Sequence, residues 1–408
     1  MKRPSRKPAR KPANKKSFVA AINAAPGHHT IREILSQPAM WAETDAHLAS
    51  DGTIDRLAAQ FTAQEPWLFI ACGSSYYLSQ LVSAIWSRNF SLRCSVVPAS
   101  EFLFAPEEIL RSTGATQVVF VSRSGETTEV LRAAEILRQR AGIRTLGVTC
   151  NPASTFERLC TQMFTLPWAD EKSTVMTRSF TSMLLSFQRL GARLRGDTEL
   201  SAALNHLPQL AQPWLDLNAD RIRKFASKRP FADFVFLGQG AHYWLAQEAA
   251  LKITEMSASY AQAYHSLEFR HGPRSIAGPD TLITLFISDA AAAEETLLAR
   301  ELKTLNATNF VIVNRATPEL AASSDLLVSL DLDGPEFARF ALAAIPAHLL
   351  GTAVGLRKGL DPDSPKNLTR AVVLGDSAST PKIISRTKAS SASVSPTRNS
   401  ARTSEGRA

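Results

Sequence analysis

Cysteine is scarce in this chain. Its 408 residues include only four cysteines, Cys72, Cys94, Cys150 and Cys160, which show no paired spacing and have no histidine cluster nearby. This pattern argues against a disulfide framework and against a zinc site built on cysteine. We therefore expect a reducing, cytoplasmic setting.

We also expect no long hydrophobic run in this sequence. Hydrophobic residues make up 45% and charged residues 20% of the chain, which are globular values. No apolar run approaches the ~18 to 20 residues that span a bilayer. No apolar segment follows the basic N-terminus either, which argues against a secretory signal, although a transit-like or mis-started segment stays open. We expect no membrane partner.

The two ends of the chain lack aromatic residues and nearly lack acids. Residues 1–16 carry eight Lys or Arg and no acid, and residues 376–408 carry six against two acids, so the tails sum to +8 and +4. Subtracting +12 from the formal net charge of +9 leaves about −3 for residues 17–375. The composition predicts disordered tails over residues 1–27 and 376–408. Non-specific phosphate contact is the most they indicate, so we expect no specific nucleic-acid partner.

Two stretches of the chain are similar to one another. Residues 67–86 (WLFIACGSSYYLSQLVSAIW) and 234–253 (FVFLGQGAHYWLAQEAALKI) each run as an apolar strand, a small-residue turn and a helix. The offset from Gly73 to Gly238 is 165 residues, and the ends of the next two strands repeat at offsets of 166 and 163. Three agreeing offsets predict a duplicated α/β unit.

Short apolar strands alternate with helical stretches in both copies. This alternation predicts an α/β fold with parallel sheets covered on both faces. Strands are expected at residues 68–72, 93–97, 117–121, 144–149 and 162–166, and again at 234–238, 282–288, 309–314 and 326–330. Helices are expected within 29–61, then over 177–194, 200–226, 243–256 and 334–357, before an extended run at 371–374.

The first copy carries a loop suited to an anion. Residues 122–127 (SRSGET) lead from a strand into a helix, where N–H groups, hydroxyls and the helix dipole converge. A serine-rich helix cap is the structural alternative. A second hydroxyl-lined turn at residues 72–75 (CGSS) also follows a strand, and two such turns in one sheet predict a crevice for a phosphomonoester. The second copy offers residues 288–291 (SDAA) instead, so we expect it mainly to scaffold.

Two further segments suggest chemistry. Residues 173–181 (STVMTRSFT) open a helix, and either cap it or close over a ligand through their backbone N–H groups. Glu248, Lys252 and Glu255 share one face of a helix that apolar neighbours indicate is buried, although an exposed salt-bridge ladder has the same spacing. Buried carboxylates have the shifted pKa values that proton transfer at carbon requires. His271 lies in a turn-forming segment, where a single histidine is more often structural.

Together these segments resemble the sugar isomerase (SIS) family, and within it the isomerase half of glucosamine-6-phosphate synthases. The resemblance covers about residues 31–374 and rests on CGSSYY, SRSGET, LAQEAALKITE, EFRHGP and DPDSPKNLTR in that order. It implies two tandem SIS-type, flavodoxin-like sandwiches: SIS domain 1 over residues 28–195, linking helices over 196–228, and SIS domain 2 with a C-terminal catalytic loop over 229–375. It also implies a homodimer with shared active sites.

The resemblance carries residue roles by position. It implies sugar-phosphate contacts from Ser74, Ser75, Ser122, Ser124 and Thr127, with Arg123 where the synthases have glutamine, and we add Thr174 and Met176 from the hydroxyl-rich segment. Glu255 matches the base that moves a proton between C1 and C2, and Lys252 matches an active-site lysine beside it. His271 matches the residue associated with ring opening, which the neighbouring subunit contributes in that family.

Two features depart from the synthases. Their glutaminase cysteine directly follows the initiator Met, whereas the first cysteine here is Cys72, so we expect that glutamine is not the nitrogen source. Their Schiff-base lysine corresponds to Arg370, and a guanidinium stays protonated and cannot capture a carbonyl. Lys366 is out of register for that role. We expect Arg370 to fix the oxygens of the open-chain sugar or to balance the charge of Glu255.

These features predict an enzyme that interconverts a hexosamine 6-phosphate, most plausibly glucosamine 6-phosphate, with fructose 6-phosphate and ammonia. Plain aldose–ketose isomerisation, galactosamine-6-phosphate or tagatose-phosphate chemistry and fructosamine-phosphate deglycation stay open, because the motifs do not set sugar stereochemistry. A non-catalytic sugar-phosphate sensor is a different class, and Glu255, Lys252 and His271 argue against it. This chemistry requires no metal or organic cofactor, and we expect none.

Overall fold

The protein is described by a computed structural model over residues 25–374. The tails expected over residues 1–27 and 376–408 lie outside the described range, apart from residues 25–27. The described residues through Val373 form one compact unit.

Three N-terminal helices open the described chain, as the helical spacing within residues 29–61 predicts. They are α1 (His28–Leu35), α2 (Gln37–Ser50) and α3 (Thr53–Gln60). Pro38 lies in the first turn of α2, where its missing N–H removes no helical hydrogen bond. Trp41 of α2 is fully buried, and its indole N–H donates to the Thr181 hydroxyl at 3.0 Å. The N-terminal helices are therefore part of the core.

The first repeat builds a five-stranded parallel sheet with the strand order β2-β1-β3-β4-β5. Its strands are β1 (Trp67–Ala71), β2 (Cys94–Pro98), β3 (Gln117–Val121), β4 (Arg144–Thr149) and β5 (Gln162–Thr165). Its helices are α4 (Gly73–Asn89), α5 (Ala99–Phe104), α6 (Pro106–Thr113), α7 (Thr128–Arg138) and α8 (Phe156–Leu159). Every residue of β1 and β3 is buried, as expected for parallel strands covered on both faces. All five predicted strands are confirmed to within one residue.

Two long helices join the repeats. They are α9 (Arg178–Arg195) and α10 (Thr198–Ser227), and they confirm the helices predicted over residues 177–194 and 200–226. Gly196 follows α9 with a φ of 68°, a left-handed conformation that glycine adopts without strain. Asp197 then caps α10, because its carboxylate accepts the N–H of Leu200 at 2.9 Å.

The second repeat builds a second parallel sheet, with strand order β7-β6-β8-β9-β10. Its elements are β6 (Asp233–Gly238), α11 (His242–Ser257), β7 (Ala261–Tyr264), β8 (Thr281–Phe286), α12 (Ala292–Thr304), β9 (Thr308–Val313), α13 (Pro318–Ala322) and β10 (Leu326–Ser329). The order repeats that of the first sheet, which confirms the predicted duplication. Strand β7 was not predicted. It is a four-residue edge strand with the half-polar sequence AQAY, too short to show a period.

The last helix, α14 (Phe340–Arg357), follows a 3-10 turn at Glu336–Arg339 and packs against α10 and α11. Residues 336–357 form a 22-residue helical stretch with a mean hydropathy of 1.4, long and apolar enough by composition to cross a bilayer. The sequence-based statement that no run approaches this length was therefore wrong. The most apolar part of the stretch is entirely buried inside the fold. An interior helix needs apolar residues on all its faces, which produces the same composition.

Candidate active site

The two predicted phosphate-binding turns lie together at one edge of the first sheet. Strands β1 and β3 are neighbours, and Ala71 pairs with Val121 at their carboxyl ends. Ser74 and Ser75 open α4 directly after β1, and residues 122–127 lead from β3 to α7. In the order β2-β1-β3, this is the switch point where doubly wound sheets bind ligands.

Three hydroxyls cluster in the second of these turns. The Ser122 hydroxyl lies 3.0 Å from that of Thr127 and 3.4 Å from that of Ser124, and it accepts the N–H of Gly125 at 3.2 Å. Thr127 holds the N-cap position of α7, but its side chain makes no capping hydrogen bond. Simple helix capping therefore does not account for Thr127. A hydroxyl cluster at a helix N-terminus suits a phosphate.

Gly125 is required by the backbone of this turn. Its φ is 65°, and a Cβ at this position would lie 2.3 Å from the Cβ of Ser154. The carboxylate of Glu126 accepts the N–H of Thr155 at 3.0 Å, which ties the turn to the loop after β4. The turn is thus fixed by its neighbours before any ligand binds.

The hydroxyl-rich segment bridges the first turn and the C-terminal loop. The Ser75 hydroxyl lies 3.8 Å from the sulfur of Met176, and the N–H of Thr174 donates to the Asp363 carbonyl at 3.0 Å. The N–H of Thr177 donates to the Glu171 carboxylate at 2.6 Å. The expectation that these N–H groups face a ligand is therefore corrected for Thr174 and Thr177, because both are bonded within the protein.

Arg123 is buried, and both terminal nitrogens of its guanidinium donate inside the protein, whereas its Nε has no partner among the described residues. It donates to the Glu171 carboxylate at 3.1 Å and to the carbonyls of Val175 at 3.1 Å and Thr174 at 2.7 Å. These bonds hold the hydroxyl-rich segment against the phosphate-binding turn. The geometry favours this supporting role over the sugar-phosphate contact that the sequence suggested for Arg123.

The charged residues of α11 meet the first turn. The ammonium of Lys252 is fully buried and donates to the Ser74 hydroxyl at 2.9 Å and to the Glu255 carboxylate. It also lies 3.3 Å from a carboxylate oxygen of Glu248. Glu248 is buried, whereas the side chain of Glu255 keeps 19% of its exposure. The predicted burial of this helix is confirmed, and Glu255 is the most exposed of the three charged side chains.

Burial and neighbouring charges act in opposite directions on the pKa values of Glu248 and Lys252. Desolvation raises the pKa of Glu248 to about 7, although the Lys252 charge opposes it. Burial acts to lower the pKa of Lys252, but the charges of Glu248 and Glu255 outweigh it and the pKa is raised. Lys252 is therefore a stable cation, suited to holding the Glu255 side chain in place rather than to acting as a nucleophilic amine.

His271 is exposed and lies apart from this cluster. It follows the 3-10 turn Glu268–Arg270 on the second repeat. Within residues 25–374, no hydrogen bond or ion pair joins its ring to Glu255 or Lys252.

Arg370 reaches the first repeat rather than Glu255. Its guanidinium donates to the Glu171 carbonyl and forms an ion pair with Asp170. The idea that Arg370 balances the charge of Glu255 does not match this geometry. Arg370 thus ties the C-terminal loop to Asp170 and Glu171, and Glu171 is also the partner of Arg123.

One group of side chains in the described range has the donor types of a metal site. A ligand atom from each of His28, His29 and Asp363 lies within 4.8 Å of the other two. The Asp363 carboxylate already accepts the N–H groups of His29 at 3.0 Å and Thr30 at 2.7 Å, which caps α1. None of the predicted site residues belongs to this group.

Family membership follows from comparison with known proteins. The SIS domain family matches residues 61–193 and 233–345, which together exceed half of the chain. This chain belongs to the SIS domain family. The two matched segments contain the two sheets, and the first includes both hydroxyl-lined turns of the SIS site.

Relatives of this SIS protein include enzymes of amino-sugar metabolism. Glutamine–fructose-6-phosphate aminotransferase from Gloeobacter violaceus is 28% identical over 365 residues, which cover 85% of this chain and 59% of the relative. The chain thus spans less than two thirds of that relative. Glucosamine-6-phosphate deaminase from Thermotoga maritima has a similar structure, with a TM-score of 0.69, 29% identity, and coverage of 85% of this chain and 100% of the other.

A further similar structure is a part of an aminotransferase. The C-terminal domain of glucosamine-fructose-6-phosphate aminotransferase from Francisella tularensis matches with a TM-score of 0.71 and 25% identity, covering 83% of this chain and 98% of that domain.

Sequence reasoning missed two carboxylates that hold the site together. Glu33 of α1 accepts the N–H of Lys172 at 2.5 Å, and Glu171 accepts from Thr177 and pairs with Arg123. Both carboxylates are buried. Glu171 lies among polar and charged residues, and Glu33 is a charged residue within an apolar helical pattern, so neither was marked as interior.

Proposed function

We propose that this SIS protein is a deaminating isomerase that converts a hexosamine 6-phosphate, glucosamine 6-phosphate in the first instance, to fructose 6-phosphate and ammonia. The Thermotoga deaminase supports this choice because the similarity covers its whole length. The aminotransferase relatives act on the same ketose phosphate by name. The domain limits 28–195 and 229–375, with linking residues 196–228, belong to this proposal.

One observation carries the proposal. The Lys252 ammonium bonds both the Ser74 hydroxyl of the phosphate-binding edge and the Glu255 carboxylate. A phosphate held by Ser122, Ser124 and Thr127 would place the sugar carbons of a bound substrate toward a carboxylate that is fixed and partly exposed. A binding module needs the phosphate turn but has no use for that carboxylate.

The chemistry follows from these positions. Ring opening, assisted by His271, exposes the C1 aldehyde. Glu255 removes the C2 proton to give an enolamine and returns a proton to C1, which leaves an imine at C2. Water then hydrolyses the imine to the ketone of fructose 6-phosphate and releases ammonia. Every step is acid–base chemistry, within reach of one carboxylate and one histidine.

His271 supports a homodimer in this scheme. The residue is exposed and forms no hydrogen bond or ion pair with Glu255 or Lys252 of its own chain within residues 25–374. We place it in the active site of a partner subunit, so that each site combines Glu255 of one protomer with His271 of the other.

The test measures ammonia and fructose 6-phosphate from glucosamine 6-phosphate, with purified protein and no glutamine. We expect turnover by the wild type and a loss of roughly a hundredfold or more in Glu255→Gln, because the amide cannot accept the proton. Isothermal titration with glucosamine 6-phosphate should show unchanged binding by the variant. Glu294→Gln, an exposed carboxylate on α12, is the matched control. Binding without turnover in the wild type would refute the deaminase and favour a sensor, and equal turnover in Glu255→Gln would refute the base.

A further inference from the structure

The segment that carries His271 has little regular structure of its own. It consists of two 3-10 turns, Glu268–Arg270 and Pro273–Ile276, on either side of His271 and Gly272. Gly272 has a φ of 119°, a conformation that other residues rarely adopt. Its backbone–backbone hydrogen bonds are local turn bonds, such as that from the His271 N–H to the Glu268 carbonyl at 2.9 Å, and they do not tie the segment to the rest of the fold. Side chains must therefore hold the imidazole at a defined place.

A buried carboxylate anchors the start of this segment. Glu295 of α12 is fully buried and accepts the Ser266 hydroxyl at 2.5 Å. Its other oxygen accepts the N–H of Ser288 at 2.7 Å and the hydroxyl of Ser288 at 3.0 Å. Ser288 follows β8, where the first repeat has its phosphate-binding turn. In the second repeat the donors of this turn are thus occupied by a carboxylate of the chain itself.

A second carboxylate of α12, that of Glu301, binds side chains on both sides of His271 in the sequence. Glu301 accepts two hydrogen bonds from Arg270, each at 3.0 Å, and a third from Arg274 at 3.2 Å. The bidentate bond to Arg270 fixes orientation as well as distance. Arg270 precedes His271 and Arg274 follows Gly272, so one carboxylate closes the turn that presents the imidazole.

We propose that Glu295 and Glu301 are positioning residues that set the place of His271 for ring opening. The inference rests on the proposed function, from which it takes the role of His271. Neither carboxylate touches a substrate in this scheme. They act through Ser266, Arg270 and Arg274. Phe269, fully buried in one apolar cluster with Leu298 and Leu302 of α12, holds the intervening turn against the same helix.

This role has a chemical signature, because only cyclic substrates need ring opening. Fructose 6-phosphate closes its ring through the C5 hydroxyl, and 5-deoxyfructose 6-phosphate lacks that hydroxyl and stays open. In the reverse reaction, with ammonia present, His271 assists opening of the fructose 6-phosphate ring, the open ketose forms its C2 imine with loss of water, and Glu255 removes a C1 proton from that imine. Incorporation of solvent deuterium at C1 therefore reports imine formation and proton transfer for the open analogue, and ring opening in addition for fructose 6-phosphate.

The experiment compares Glu301→Gln with the wild type in full-length protein, using each ketose with an ammonium salt in D2O and detecting deuterium at C1 by NMR. We expect exchange into fructose 6-phosphate to slow by between about tenfold and about a hundredfold, a cost typical of a misplaced group. Exchange into the open analogue should stay within about twofold of the wild type. Glu295→Gln should act in the same direction. Glu319→Gln on α13 is the matched control, because it removes an exposed ion pair with Arg300, which lies on α12 like Glu295 and Glu301.

The outcomes separate the inference from the function on which it rests. Equal slowing of both ketoses, or no slowing of either by Glu301→Gln, overturns the positioning role while leaving the proposed function intact. A wild type that exchanges neither ketose refutes the proposed function, and the inference with it. Because Glu301 is half-exposed, its variant is expected to fold even if Glu295→Gln does not.

Discussion

The Lys252 ammonium and the Ser74 hydroxyl lie 2.9 Å apart and join the two repeats of the chain. Ser74 opens α4 of the first repeat, and Lys252 lies on α11, the equivalent helix of the second. Because the two helices pack against each other, the second repeat delivers its carboxylates to the phosphate-binding edge of the first. In the proposed function, the first copy thus binds the anion and the second copy transfers the proton.

Replacing Lys252 should damage both stability and turnover. Lys252→Met leaves Glu248 and Glu255 without their cation, and breaking a buried ion pair costs about 3–5 kcal/mol. We expect a lower thermal midpoint and loss of glucosamine 6-phosphate turnover. Lys303→Met removes a more exposed pair with Asp325 and should lower stability by about 1 kcal/mol at most. Equal midpoints for the two variants would contradict the buried cluster.

Removing a hydroxyl from the phosphate-binding turn should weaken substrate binding. Ser124→Ala deletes one donor to the phosphate, and a hydrogen bond to a charged group contributes about 1.5–3 kcal/mol. We expect KM to rise by roughly tenfold to a hundredfold with kcat nearly unchanged, since ground state and transition state lose the same contact. Ser112→Ala on the exposed face of α6 is the control. A fall in kcat at constant KM would assign Ser124 a role in the chemistry instead.

Arg123 should prove to be a structural residue. Arg123→Gln leaves the buried Glu171 carboxylate without its cation. We therefore expect the free energy of unfolding, measured by thermal denaturation, to fall by about 3–5 kcal/mol. The double variant Arg123→Gln with Glu171→Gln should recover part of that loss, because no charge is then left buried. Arg138→Gln, which breaks an exposed pair with Glu135, should change little. A raised KM with unchanged stability would restore Arg123 to the sugar-phosphate contacts.

Shared active sites would be revealed by mixing two inactive proteins. In the proposed homodimer each site combines Glu255 of one chain with His271 of the other. Glu255→Gln and His271→Asn proteins, unfolded and refolded together, should therefore regain about a quarter of wild-type activity, since half of the dimers are mixed and each carries one intact site. Each variant refolded alone is the control. A mixture as inactive as its components would place both residues in the site of one chain.

Stability should depend on pH through Glu295. Burial raises the pKa of Glu295 from 4.5 to about 7, and the charge of Glu336 adds to this effect. The folded state holds this proton more tightly than the unfolded chain, so the contribution is complete below pH 4.5 and is lost as pH rises through about 7. We expect the thermal midpoint of the wild type to fall more steeply over this range than that of Glu295→Gln. Glu248 titrates in both proteins, so parallel curves would rule out the assignment to Glu295.

Local sequence was sufficient to predict those strands, turns and helices whose pattern lies in neighbouring residues. The strand from Gln117 to Val121 is uniformly apolar because both of its faces are buried, and the turn after it needs Gly125 for its backbone. Such features depend on a few consecutive residues. The helix of Lys252 could be predicted as buried for the same reason. Strand β7 could not, because four half-polar residues at a sheet edge carry no period.

The sequence by itself determined the repeated order of strands and helices, the hydroxyl-lined turns and the family of the chain. Only the tertiary structure decided which side chains meet: Lys252 with Ser74, Arg123 with Glu171, and Glu295 with Ser288. The first of these pairs spans 178 positions of the chain. A hydrogen bond over such a separation depends on how whole helices and sheets pack, and no local pattern of residues encodes that packing.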